Sequence, residues 1–457
     1  MGKKDESWKQ RFETRNSVRL QMDYNQKKTK SACENCKPRV QFVKLFLLLV
    51  ASLALMSFKQ IYIPRDLQDN DFNNPESRWC YAHSRLTDNF VIFWEKGFGD
   101  DLSSPPDLEG HRMSVDLDNL CERLEAFYRN YYDTLGFAHK GSLCDKYRMM
   151  VMLNYSLEGT AYGGDYDGVI GALWLAPNRI QDRTLNCIAH ELGHCFQSQI
   201  MCDGEGEAWG GCGFFEMTSQ WMLWQVTPNW IGSERYHWDA FCKNTHKAYL
   251  SIENIYRSPY IIEFWGMKRG LTAIGDLYRA GKRGEDPVIT YKRLYNLSQE
   301  AFCDEMYDAV CHIVNLDYPR CWELTRPFAC QMTTELDALD DGWYAPSQTN
   351  IPEDFGFNVV PLVLPTSGKK LTATLHTDVP VEQGGFRCGF VVVDKDGHST
   401  YSPMKTLNSK SKSLKLSYKL PFDSAKAFLV VMAAPACYPT ERDDTPYLYS
   451  FKTSSLI

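Results

Sequence analysis

Between residues 85 and 330 the apolar positions recur mostly at helical spacing, broken early by short β-branched and aromatic runs. Beyond residue 350 they fall into brief runs separated by Gly, Pro and Lys. Phe90–Trp94 is a five-residue apolar run that predicts a strand, 147–153 predicts a second, and 169–175, stopped by Pro177, a third. Leu117, Leu120, Leu124 and Phe127 keep a helical step within 115–132. The same step runs through Ile180, Leu185, Ile188, Leu192, Phe196 and Ile200, and 214–226 continues in helical fashion after a glycine-bearing loop. Further helices are expected across 252–278 and 300–314, while the Gly- and Asp-rich stretch 162–168 reads as a turn. Six short runs between 359 and 451 predict a β-sandwich of about a hundred residues. The pattern therefore predicts an α+β chain: a mixed sheet with helices over 79–335 and an all-β sandwich over 355–457. An acidic, turn-rich linker at 336–354 would join them, with a polar linker at 61–78 before the first.

The first sixty residues change the picture of where such a chain works. Leu45 to Phe58 is a charge-free run of fourteen, preceded by Lys37, Arg39 and Lys44. It is shorter than the roughly 20 residues a spanning helix needs and fits a signal-peptide core or signal anchor. Residues 1–60 thus read as a basic N-terminal segment that directs the chain to the outside, as a secreted, cell-surface or periplasmic protein. Forty-four residues before the core are long for a signal peptide, so either the chain starts further down, with Met22 as a candidate, or the segment stays as an anchor. Membrane contact is expected only through such an uncleaved anchor. Residues 1–44 hold 12 Lys and Arg against 5 Asp and Glu, and the remainder 38 against 52, a net of −14. That acidity, with no basic stripe, argues against nucleic acid as a partner, since such binding depends on neutralising phosphates. The sixteen cysteines are scattered. Cys33 and Cys36 form a lone C-x-x-C, and Cys202 with Cys212 is a candidate disulfide across the loop between two helices.

The chemistry concentrates in that helix pair. His190-Glu191-Leu192-Gly193-His194 is H-E-x-x-H, which on a helix of about 3.6 residues per turn puts both imidazoles on one face. Two such histidines suit one Zn²⁺, with Glu191 beside them to take a proton from water. Glu216 is the sole acid of the next helical run, among Phe214, Phe215, Trp221 and Trp224. A carboxylate set in so much aromatic surface needs a partner, and a metal supplies one, leaving a fourth position open as in catalytic zinc sites.

The arrangement resembles the gluzincin metallopeptidases, in which H-E-x-x-H is completed by a Glu on the following helix. The resemblance implies a gluzincin-like fold, His190, His194 and Glu216 as metal ligands, Glu191 as catalytic base and Gln220, four residues past Glu216, as the side chain orienting a ligand histidine. It also implies an edge strand before the zinc helix that pairs with extended substrate, a place held here by Ala172, Leu173 and Trp174. Candidate oxyanion donors are Tyr236, His237 and His246. Glu-Met-Thr-Ser-Gln at 216–220, and His-Glu-Leu-Gly-His followed by Gln197, are similar to enhancin-like, mucin-directed metallopeptidases. Residues 85–457 as a whole resemble an uncharacterised family of secreted bacterial proteins. The expected activity is zinc-dependent hydrolysis of an extracellular polypeptide or glycoprotein, with the sandwich as an accessory module. The alternative is a non-catalytic, zinc-stabilised surface protein that binds glycan or protein.

Overall fold

The computed structural model describes residues 59–211, 213–365, 370–438 and 445–456. The segment 45–58, Cys33, Cys36 and Cys212 lie outside them. Among the described residues no helix is long and apolar enough to cross a membrane, and the thirteen cysteines are all thiols.

The first sheet takes its strands from the runs that alternate least. β2 (Phe90–Trp94) and β3 (Met149–Leu153) are buried at every position, as strands covered on both faces must be. With β1 (Ser84–Leu86), β4 (Ala161–Tyr166) and β5 (Ile170–Leu175) they form a mixed sheet of order β1-β2-β3-β5-β4. Phe90, Ile92, Trp94, Val151, Leu153, Leu173 and Leu175 face helices α1 (Leu117–Arg129) and α2 (Asn186–Cys202). Val91, Phe93, Met150, Met152 and Ala172 face the other way, onto Phe72 and Trp79 with Ile61 and Ile63 beside them. Residues 61–78, expected to be a linker, are therefore the cover of the sheet: the few apolar residues among their polar ones are what pack.

Beyond α2 come α3 (Gly213–Val226), α4 (Arg235–Lys243), α5 (Tyr260–Arg269), α6 (Ala273–Ala280), α7 (Pro287–Leu294) and α8 (Gln299–Asn315). The α8 helix starts under a Ser298 cap and ends at Leu316 in the left-handed region. Residues 252–257, expected to be helical, are turns.

The C-terminal strands make two stacked sheets. One runs β11-β10-β14-β8, with β12 also on β10; the other runs β13-β9-β15-β7-β6. Their bounds are β6 Leu336–Ala338, β7 Tyr344–Pro346, β8 Phe357–Leu362, β9 Lys370–His376, β10 Gly384–Asp394, β11 Ser399–Tyr401, β12 Lys405–Leu407, β13 Ser413–Lys419, β14 Ser424–Pro435 and β15 Ser450–Thr453. Strands β6 and β7 lie inside 336–354, so that stretch is an edge of the sandwich rather than a linker; at three residues each they are too short to show a period. The sandwich also does not stand apart. Phe357, Val391, Val393, Phe428, Val430 and Met432 belong to the same apolar cluster as Phe302, Met306 and Val310 of α8, and residues 59–457 form one unit.

Candidate functional site

Helices α2 and α3 approach closely at Gly193, where a β-carbon would lie 2.4 Å from Ser219 Oγ. Ser219 Oγ in turn donates to the His190 carbonyl. That contact sets His190, His194 and Glu216 against one another. The two imidazole rings stand 4.7 Å apart at 90°, with their Nε2 atoms 3.1 Å from each other. Glu216 Oε2 lies 3.1 Å from His190 Nε2 and 3.2 Å from His194 Nε2. Among the described residues these three form a group whose donor atoms all fall within reach of one ion. A tetrahedral ion bound at about 2.0–2.1 Å sets ligand–ligand edges of about 3.3 Å, and the three observed edges are close to that.

Each histidine is held from behind. His190 Nδ1 is 2.7 Å from Gln220 Oε1, and His194 Nδ1 is 2.8 Å from Gln197 Oε1. Both amides have their orientation set by backbone carbonyls, which can only accept: Gln220 Nε2 donates to Tyr256 O at 2.9 Å, and Gln197 Nε2 to Phe215 O at 2.9 Å and to Tyr278 Oη at 2.9 Å. The amide oxygens therefore face the rings, both Nδ1 atoms carry hydrogen, and in the neutral imidazoles both Nε2 lone pairs point at Glu216. Phe215 stacks on His194 at 4.1 Å and 14°. His190 and His194 are 8% and 5% exposed, and Glu216 is half-buried. Burial opposes the charge on Glu216; when the imidazoles are protonated at Nε2 their contacts outweigh it and hold its carboxyl at about 2.

Glu191 sits at the rim of this cluster. Its Oε2 accepts from Gly163 N at 2.8 Å, and burial raises its carboxyl above the ordinary range, against the pull of His190, His194 and that N–H. The neighbouring strand is β4, and its approach is extreme: a β-carbon at Gly163 would sit 1.8 Å from the Glu191 carbonyl oxygen. This corrects the substrate-strand expectation. Ala172, Leu173 and Trp174 lie in β5, paired with β3 on one side and β4 on the other. The free edge beside α2 belongs to β4, residues 161–166, where Tyr162 is 62% exposed.

The three expected oxyanion donors have partners of their own. Tyr236, 64% exposed, and His237 both turn to Glu234, at 3.4 and 3.3 Å. Glu234 is held by Asn186 at the head of α2, so this is a clamp on the helix start. His246 is buried beside Lys247, and burial lowers its pKa. The tyrosine that does reach the ligands is Tyr256. Its ring lies 5.8 Å from that of His190, its hydroxyl lies near Glu216, and burial, then Glu216 and Glu191, push its pKa up. It stands in the turns before α5, 40 residues past Glu216, with no periodic signal around it.

A family model described as "Family of unknown function (DUF6055)" matches residues 54–452. No curated protein matches the chain in sequence. Among solved structures, the M60 catalytic domain of Clostridium perfringens ZmpC, in complex with the sialyl T antigen, is 12% identical, with a TM-score of 0.33 over 78% of this chain and 70% of that one. The ZmpB metallopeptidase from Clostridium perfringens is also 12% identical, with a TM-score of 0.33 over 77% and 69%. A xylan-binding domain of carbohydrate-binding module family 22 is 13% identical, with a TM-score of 0.17 over 27% of this chain and 91% of that one. Likenesses this faint decide neither activity nor ligand, which rest on the geometry above.

Proposed function

The chain belongs to the family of unknown function DUF6055, and we propose that it is a zinc-dependent peptidase acting on extracellular protein or glycoprotein chains. One observation carries this reading: His190 Nε2, His194 Nε2 and Glu216 Oε2 converge on one point while each Nδ1 rests on an amide oxygen, so the neutral imidazoles offer two lone pairs beside a carboxylate. A shared proton would satisfy a single pair among these three acceptors; a divalent cation satisfies all of them.

His190, His194 and Glu216 would hold the metal. Bound there, zinc supplies Lewis acidity, which lowers the pKa of water and polarises a carbonyl. Glu191 keeps Oε2 on the Gly163 N–H and offers Oε1 to the attacking water; its raised pKa suits it to take that proton and pass it to the leaving amine. Tyr256, its hydroxyl beside Glu216, is placed to donate to the carbonyl oxygen as charge develops there. The β4 edge would align an extended peptide by strand addition. The decisive variant is Glu191→Gln: peptide hydrolysis should vanish while near-stoichiometric zinc, read by mass spectrometry of the purified chain, remains. Undiminished hydrolysis in that variant would overturn the mechanism, and absence of zinc from well-folded wild-type protein after metal addition would overturn the site.

A further inference from the structure

One face of the sandwich has no role in the zinc chemistry. The β11-β10-β14-β8 sheet turns its outer face to α8, but the β13-β9-β15-β7-β6 sheet turns its outer face to water. Along β13 the burial alternates, with Leu416 inward and Ser413, Lys415, Ser417 and Lys419 outward and exposed. Strand β9 does likewise, with Leu371, Ala373 and Leu375 inward and Lys370 and Thr372 exposed. The pairing register sets Lys419 opposite Lys370 and Ser417 opposite Thr372. It also aligns Lys415, Thr374 and Lys452 in one row across β13, β9 and β15. At about 3.4 Å per residue along a strand and about 4.8 Å between strands, the four lysines occupy a flat area roughly 15 Å across.

That face is out of keeping with the rest of the chain. Residues 355–457 carry 12 Lys and Arg against 8 Asp and Glu, a net of +4, whereas 45–354 carry 26 against 44, a net of −18. The outward positions of β13, β9 and β15 hold no carboxylate; the acids around them are Asp340 and Asp341 in the turn that receives Lys452, Asp337 at the far edge in β6, and Asp378 past the end of β9, which pairs with His376 at 3.4 Å. Among the described residues none of the four lysines has an ion-pair partner; Lys452 donates to a backbone carbonyl, that of Asp341. Like charges side by side across a sheet repel, so an intramolecular role does not account for the Lys419–Lys370 pair. Between the lysines stand hydroxyls, and the only ring among the described residues on the three strands' outer face is the imidazole of His376 at one end; Phe422, 94% exposed in the loop after β13, stands at its rim. A bilayer is held by buried apolar area as well as by charge, and one ring at the edge offers little of it. A neutral sugar would need a platform of rings. A long, hydroxyl-rich polyanion fits both halves of the surface.

We propose that this face docks an anionic polysaccharide: Lys370, Lys415, Lys419 and Lys452 take its carboxylate or sulfate groups, and Ser413, Ser417, Thr372 and Thr374 its hydroxyls. The inference is independent of the zinc site. It is tested on the full chain by calorimetry with polygalacturonate, which carries only carboxylates, with heparin, which adds sulfates, and with neutral dextran, at low and high salt. A triple variant, Lys370→Glu, Lys415→Glu and Lys419→Glu, is compared with a control of equal charge change elsewhere, Lys140→Glu, Lys282→Glu and Arg283→Glu, all at exposed positions. Binding of at least one polyanion, weakened by salt, absent with dextran and lost by about a hundredfold in the face variant only, is expected at roughly fivefold per lysine near an anionic surface. Selectivity between the two polyanions identifies the group. Equal loss in both variants, equal binding of dextran, or no binding of either polyanion would overturn the proposal. So would capture by phosphatidylserine vesicles in place of the polysaccharides. Should the triple variant fold poorly, Lys→Gln at the same three positions gives the same reading with a smaller expected loss.

Discussion

Gln197 and Gln220 decide which nitrogen of each histidine faces Glu216, although neither side chain touches the metal position. Replacing Gln220 with Leu leaves the His190 ring free to rotate and to change tautomer, and strands the Tyr256 carbonyl. Zinc affinity should fall by about 10–100-fold, read by competition with a chelating dye. Gln197→Leu should act similarly on His194 and also remove the side-chain donor to Phe215 O. Tyr256→Phe is the complementary case: zinc content should stay at the wild-type level while kcat drops by about 10²–10³-fold, with KM less affected, as for loss of one oxyanion donor. The H-E-x-x-H spacing was legible in the sequence because helical geometry puts both histidines on one face, and Glu216 because it is the sole acid of an aromatic run. Gln220, one turn beyond Glu216, was legible only through the resemblance to gluzincins. Gln197 stood beside the motif but its role depends on Phe215 and Tyr278, and Tyr256 reaches the site through a turn that no periodicity marks.

At the scale of elements, strand β4 shows what pattern reading misses. Its Gly163-Gly164 pair and flanking aspartates looked like a turn, since glycine weakens a strand interior. The reason for glycine is the neighbour: α2 passes so near that any β-carbon at 163 would overlap the Glu191 carbonyl. Close backbone approach and loop chemistry use the same residue, and only the fold tells them apart. The consequence is measurable. Gly163→Ala must push β4 off α2, at a cost of about 1–3 kcal/mol for an overpacked site, and it disturbs the N–H that holds Glu191 Oε2. Thermal unfolding should shift down, and hydrolysis should fall further than zinc binding does, because His190 and His194 face the opposite partner, α3. The apolar runs of β2 and β3, by contrast, were plain in the sequence, since a strand buried on both faces needs no alternation.

Over the whole molecule the question is whether the sandwich is a module or a wall of the same building. Arg387 of β10, 4% exposed, bonds Glu300 and Asp304 of α8. At the other end of α8, Asp317 takes His312 at 2.5 Å and the hydroxyl of Tyr401 in β11. Burial opposes ionisation of Asp317, but His312 and Tyr401 outweigh it and hold its pKa below the usual carboxylate range. A depressed folded pKa means stability that is complete above the ordinary aspartate value near 4 and lost as pH falls through the folded one. Asp317→Asn should therefore lower the urea midpoint at pH 7, with a gap from wild type that narrows toward pH 3. Between these two clasps lies continuous apolar packing, Phe302 and Met306 against Phe355, Phe357 and Phe428. A sandwich cut out at residue 355 would lose strands β6 and β7 and expose the outer face of β10 and β14 to water. It should be insoluble or molten, whereas residues 59–457 should unfold in one cooperative transition by calorimetry. Two separated transitions, or a well-folded 355–457 fragment, would show instead that the shared core is a docking contact between domains that fold alone.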